Sequence, residues 1–174
     1  QNSCELIEAI KTHGDFTVRV GAYPEKHPDA QNPQADIDYL KRKFDAGADS
    51  AITQFFFEAD TFFRFRDLCE KAGIAEKIIP GILPIDNWKG VKSFANRCGT
   101  AVPAWLEDAY SKADRDGEGR ADLLSIALGT ELCSDLIDGG VEDLHFYTLN
   151  RPTLTRDICH ALGVYPQTSL ENVA

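Results

Sequence analysis

The chain has 174 residues, 43% of them hydrophobic, which suits one globular domain and is too apolar for a disordered segment. A formal net charge of −10, with a pI near 4.8, argues against broad binding to nucleic acid or an anionic membrane surface. A small basic pocket for an anionic ligand remains compatible with that charge. The apolar runs are too short to span a bilayer, and no basic-then-apolar leader pattern opens the chain. Five scattered cysteines without a C-x-x-C spacing fit reduced thiols in a cytoplasmic protein. The sequence contains no methionine, so Gln1 is expected to result from processing or a cut.

Residues 4–12 read as a short helix with Leu6, Ile7 and Ile10 on one face, broken by His13-Gly14-Asp15. A strand is predicted over about 16–22. The next helix, about 34–46, carries Ile37, Leu40 and Phe44 at i, i+3 and i+7 and stops before Gly47. A second strand is expected over 50–57, then a helix capped by Asp60 that runs to Ala72. The third strand, 77–83, contains Pro80, so its pairing should end or bulge there. Asn87 is placed to cap a helix through Cys98. Residues 103–139 read as helical with one break at the acidic, glycine-rich stretch 114–120. A fourth strand at about 144–148 and a helix from Thr153 to Leu162 complete the pattern, with a frayed tail over 167–174. Strands alternating with helices predict an α/β fold with a parallel sheet under helical cover.

The segment Tyr23-Pro24-Glu25-Lys26-His27-Pro28 stands at a strand-to-helix junction, where α/β folds place their ligands. On its own it reads equally as a stiff surface loop. Asp36, Tyr39 and Lys43 form a polar ridge on the following helix, with Arg42 beside it. This ridge is either a solvated face or a grip for phosphate. Gln54 ends an apolar strand, and its carboxamide can pair with a heterocycle edge or with nearby backbone. Arg151 closes another strand, suited to a carboxylate or to capping backbone carbonyls. The stretch 114–120 imitates an EF-hand loop, but Ser125 stands where the loop needs Glu, so calcium is rejected. Cys159 and His160 are adjacent on a helix and cannot face one another as a nucleophile–base pair. Neither G-x-G-x-x-G nor a Walker A loop occurs.

Five collinear blocks make a more specific pattern. They are Ala22-Tyr23-Pro24-Glu25-x-His27-Pro28, Lys43-x-Asp45-Ala46-Gly47-Ala48, Ile52-Thr53-Gln54-Phe55-Phe56-Phe57, Ile79-Pro80-Gly81-Ile82-Leu83-Pro84 and the stretch from His145 to Arg151. Together, over about Glu5 to Val164, they resemble the methylenetetrahydrofolate reductases, in the short bacterial form without a regulatory domain. The resemblance implies a (β/α)8 TIM barrel with FAD at the C-terminal ends of its strands. It implies hydride transfer from NADH or NADPH, through the flavin, to 5,10-methylenetetrahydrofolate, giving 5-methyltetrahydrofolate.

By position, Tyr23, His27, Ala30, Asp36, Arg42 and Lys43 match residues that contact FAD in the family. The resemblance puts Arg42 and Lys43 near the pyrophosphate and Asp36 near hydroxyls. Gln54 matches a residue that binds the folate pterin, Phe94 an aromatic that packs on folate and NADH, and Arg151 a folate-contacting arginine. Tyr39 stands where a relative has Asn, and Gly90 where a relative has Gln. The family's general-acid Glu and a flavin-tuning Asp lie on early strands, and this chain is expected to begin after them. No catalytic residue is therefore assigned within it. Residues 1–166 would supply strands five to eight, as a fragment or as one piece of a split or excised gene. A half barrel exposes strand edges, which favours a homo-oligomer or a complementing N-terminal half. The alternative is a catalytically incomplete module that binds folate or FAD or self-assembles. In either case the isolated chain is expected to lack reductase activity.

Overall fold

A computed structural model describes residues 2–117 and 119–165. The expected frayed tail at 167–174 lies outside the described residues. The order is α1 (Ser3–His13), β1 (Arg19–Ala22), α2 (Pro33–Asp45), β2 (Ser50–Thr53), α3 (Ala59–Lys71), β3 (Lys77–Ile79) and β4 (Gly81–Ile82). There follow α4 (Trp88–Cys98), α5 (Ala104–Asp116), α6 (Arg120–Asp138), β5 (His145–Phe146) and α7 (Pro152–Ala161). No helix among the described residues is long and apolar enough to cross a membrane.

Local chemistry sets most helix ends. Asn2 accepts from the Cys4 and Glu5 N–H groups at 3.0 and 3.1 Å, and Glu5 returns a bond to the Asn2 N–H, closing a capping box on α1. Asn32 accepts from the Ala35 N–H at 2.8 Å, with Pro33 pre-set for the first helical position of α2. Asn87 caps α4 through the Gly90 N–H, as expected, and Gly99 ends that helix at φ 72°. The assignment of Asp60 as a cap needs correction. Helix α3 begins two residues earlier, Glu58 is its N-cap and makes no side-chain cap bond, and Asp60 lies in the first turn. There its charge still suits the positive end of the helix dipole.

The strands are parallel and shorter than their apolar runs. One ladder has the order β1-β2-β3, with Arg19 opposite Ser50 and Ser50 opposite Lys77; a second joins β4 to β5, with Gly81 opposite His145. The change of ladder falls at Pro80, which has no N–H to donate, while its carbonyl accepts from the His145 N–H at 3.0 Å. The third predicted strand is thus two short ones.

Three apolar clusters fill the spaces between sheet and helices. One joins α1, α2 and α3 through Ile7, Leu40, Phe44, Ala51 and Phe65. A second gathers Phe55, Leu83, Val91, Ala95, Leu106 and Tyr110, and a third Phe56, Phe62, Ile82, Cys133, Leu136 and Ile158. Neighbouring Phe55 and Phe56 enter different clusters, so the run 55–57 is apolar because it divides two cores, although the ladder has ended at Thr53. All five cysteines are free. Burial pushes the Cys69 and Cys133 thiols up to about 12, which makes them poor nucleophiles.

Candidate ligand site at the strand ends

The loop after β1 turns back on α2 and is held by it. Asp36 accepts the His27 backbone N–H at 2.8 Å, and the Ala30 N–H bonds the His27 carbonyl at 3.0 Å. The Asp29 N–H donates to His27 Nδ1 at 3.1 Å, which leaves the proton of the neutral ring on Nε2. The Tyr23 and His27 rings meet edge to face at 4.4 Å. Lys26, at φ 147°, folds its ammonium onto the Ala30 carbonyl at 2.8 Å. The backbone strain at Lys26 is thus held by contacts inside the loop.

The polar ridge of α2 faces the same loop. Lys43 donates to the Gly21 carbonyl at 2.9 Å, at the C-terminal end of β1. The Arg42 guanidinium and the Lys43 ammonium both lie over the Tyr39 ring, 4.9 and 5.0 Å from its centroid. The Tyr39 hydroxyl accepts the Ser3 N–H at 3.3 Å, which brings the start of α1 to the site. Between loop and ridge lies a cavity of about 530 Å3 whose lining includes all of Tyr23, His27, Ala30, Asp36, Arg42 and Lys43. Ser3, Asp29, Ala35 and Tyr39 line it too. Tyr39, which stands where a relative has Asn, shares the helical face of Asp36 and Lys43, and that spacing brings it to the cavity.

The three expected substrate residues are dispersed. Gln54 lies beside Tyr23 in a narrow crevice, and its carboxamide oxygen accepts the Phe55 N–H at 3.1 Å. This is the backbone-bonded reading of Gln54, and the arrangement leaves its amide nitrogen as a donor. Burial first, then the charges of Cys98, Asp36 and Asp29, hold the Tyr23 hydroxyl above its ordinary pKa of 10.0, while Gln54 works against them. Phe94 stacks on Phe55 at 5.3 Å, with the Arg97 guanidinium over its ring. Arg151 is exposed, pairs with Asp86, and lines a separate cavity of about 470 Å3 with Tyr147, Thr148 and Asn150. Leu149 and Asn150 reach it in left-handed backbone, at φ 48° and 61°. A larger cavity, about 620 Å3, opens among α3, α5 and α6 and contains none of the expected site residues.

Glu25 behaves differently from its neighbours. Both its oxygens accept the Ala101 N–H at 3.1 Å, yet burial outweighs this and the pull of Arg64, and raises its pKa above the ordinary 4.5. A raised folded-state pKa gives stability that is complete below 4.5 and lost as pH rises through the raised value. Glu25→Gln removes that loss. Its melting temperature relative to wild type should therefore climb across this window in a series between about pH 4 and 8. A constant difference across the series would refute this.

The chain is a parallel α/β protein with a polar and aromatic cavity at a strand end, the place where α/β folds hold small-molecule ligands. The chain belongs to the methylenetetrahydrofolate reductase family, whose family model matches residues 1–163. It is 47% identical over 162 residues to 5,10-methylenetetrahydrofolate reductase of Escherichia coli (strain K12), covering 93% of this chain and 54% of that protein. It is 38% identical to "Probable methylenetetrahydrofolate reductase (NADH)" of Oryza sativa subsp. japonica, covering 95% of this chain and 30% of that one. The chain spans about half the length of the bacterial relatives it matches. Among solved structures it is similar, at TM-score 0.60 and 17% identity, to an uncharacterized Clostridium thermocellum protein that binds two copies of 5-methyl-5,6,7,8-tetrahydrofolic acid. That match covers 88% of this chain and 56% of the other, and at this identity it speaks for the fold.

Proposed function

We propose that these residues form the flavin- and folate-contacting part of a methylenetetrahydrofolate reductase, equivalent to strands five to eight of a TIM barrel. The observation that carries this reading is the cavity that gathers Tyr23, His27, Ala30, Asp36, Arg42 and Lys43. Its donor set fits FAD: two cations for a pyrophosphate, Asp36 and Asp29 as acceptors for hydroxyls, and the Tyr23 and His27 rings as apolar walls. When bound, FAD supplies a two-electron carrier between NAD(P)H and the methylene group of the folate.

The chain's own residues bind and orient. Gln54 offers its amide nitrogen to the pterin edge beside Tyr23. Phe94 provides a ring face already stabilised by Phe55. Arg151 exchanges Asp86 for a carboxylate of the substrate, an exchange of one exposed ion pair for another and therefore of small net cost. No general acid is assigned among the described residues that line the cavity, and proton delivery is proposed to come from residues elsewhere in the family's length.

Purified 174-residue protein, titrated with FAD and assayed for NADH-dependent reduction of methylenetetrahydrofolate, tests this reading. Flavin should be taken up and its spectrum perturbed, with no folate reduction by this chain alone. Uptake into a His27→Ala, Lys43→Ala variant equal to wild type would refute the cavity assignment. Folate reduction without another chain would refute the division of labour.

A further inference from the structure

Glu25 lies in the loop motif but does not line the 530 Å3 cavity. Its carboxylate instead reaches the turn between α4 and α5, where both oxygens take the Ala101 N–H at 3.1 Å. That turn is tied in three other ways. The Thr100 N–H bonds the Ala95 carbonyl at 3.0 Å, and the buried Thr100 hydroxyl donates to the Phe55 carbonyl at 3.1 Å. Gly99, at φ 72°, lies so close to the first loop that a Cβ on it would stand 3.4 Å from Pro28 Cγ and 3.6 Å from the Lys26 carbonyl oxygen. One turn is therefore bonded both to the loop of Tyr23 and His27 and to the segment of Gln54 and Phe55. Phe55 in turn carries Phe94 by stacking.

We propose that Glu25 is a positioning residue: through the Gly99–Ala101 turn, its carboxylate fixes the Tyr23–His27 loop relative to Gln54 and Phe94. Flavin-side and folate-side contacts are then set by one joint rather than by two independent loops. The inference rests on the reading of those two loops given above. A carboxylate is suited to the task because a charged acceptor bonds a backbone N–H more strongly than a neutral one. Glu58 and Arg64, the other charges acting on Glu25, come from α3 and its cap, so the joint also touches the helix after β2.

The test is residue-resolved amide hydrogen exchange on the ligand-free 174-residue protein. In Glu25→Ala, exchange should accelerate about tenfold in both 20–30 and 53–57, the loss of one charge-assisted bond, while α1 is unchanged. Glu25→Gln keeps an acceptor oxygen and should return both segments to within about threefold of wild type. In a Thr100→Val background, Glu25→Ala should still loosen 20–30 but add nothing in 53–57, the non-additivity expected of residues in one network. Should Glu25→Ala fail to fold, Glu25→Asp, one methylene too short to reach Ala101, should give the same two-segment pattern. Acceleration confined to 20–30, a Gln variant as loose as Ala, or uniform acceleration across the molecule would each overturn the proposal. FAD affinity should fall about tenfold in Glu25→Ala and recover in Glu25→Gln. A wild-type chain that binds no FAD would overturn the flavin reading, and the exchange pattern would still decide this one.

Discussion

Gly81→Ala is expected to cost about 3 kcal/mol or more of folding stability, the upper range for forcing atoms into a packed interior. Gly81 opens β4 directly after Pro80, where the sheet changes ladder. A Cβ there would overlap the Thr53 carbonyl oxygen and lie 2.6 Å from Tyr147 Cε2. Tyr147 could swing its ring away, but the Thr53 oxygen is backbone and cannot. The same three residues also exchange the bonds that join the ladders. The Gly81 N–H donates to Thr53 Oγ1 at 2.9 Å, and the Tyr147 hydroxyl donates to the Thr53 carbonyl at 2.9 Å. Relief of the overlap therefore breaks hydrogen bonds between β2, β4 and the end of β5. Gly90→Ala is the matched control: it lies inside α4, its nearest new contact would be 3.6 Å away, and alanine should stabilise the helix by about 0.5–1 kcal/mol. Thermal melts of the two variants should move in opposite directions. A Gly81→Ala melt within a few degrees of wild type would mean that the two ladders are not locked at this point.

This junction also marks how far the sequence could be read. Pro80 announced a break because proline lacks an N–H, a fact of covalent structure independent of the fold. Asn87 is a similar case, since a cap bond is made within three residues. Strand ends depend on partners far away. The stretch 16–18 is made of strand-favouring aromatic and β-branched residues yet stays outside the ladder, and Phe55 and Phe56 are apolar because each serves a different core. The residues proposed to face the cofactor line one cavity because one loop and one helical face carry them, at spacings the helix period fixes. Gln54, Phe94 and Arg151 come from three distant segments. The family pattern names them, but the partners they take here (the Phe55 N–H, the Phe55 ring and Asp86) are set by tertiary packing.

The largest expected effect on ligand binding is at the cationic ridge. Arg42→Ala with Lys43→Ala should lower FAD affinity about a hundredfold, and each single change about tenfold, as charge-assisted bonds to a pyrophosphate are lost. Both cations lie over Tyr39, and Lys43 is further held by Gly21, so part of their cost of ordering is met before a ligand arrives. Arg42 is exposed on α2, and the three core residues of that helix, Ile37, Leu40 and Phe44, point away from the ridge, so the double variant should fold normally. Riboflavin supplies the decisive comparison, because it has the ring system without phosphate. Its affinity should change little in the double variant, whereas FAD binding should weaken and become less sensitive to added salt as the screened charges disappear. Equal losses for FAD and riboflavin would place Arg42 and Lys43 at the ring or in the fold of the cavity, and the pyrophosphate assignment would fail. A selective loss for FAD would fix the polarity of the site: phosphates over α2, ring system toward Tyr23 and Gln54, on the side where Phe55 and Phe94 stack.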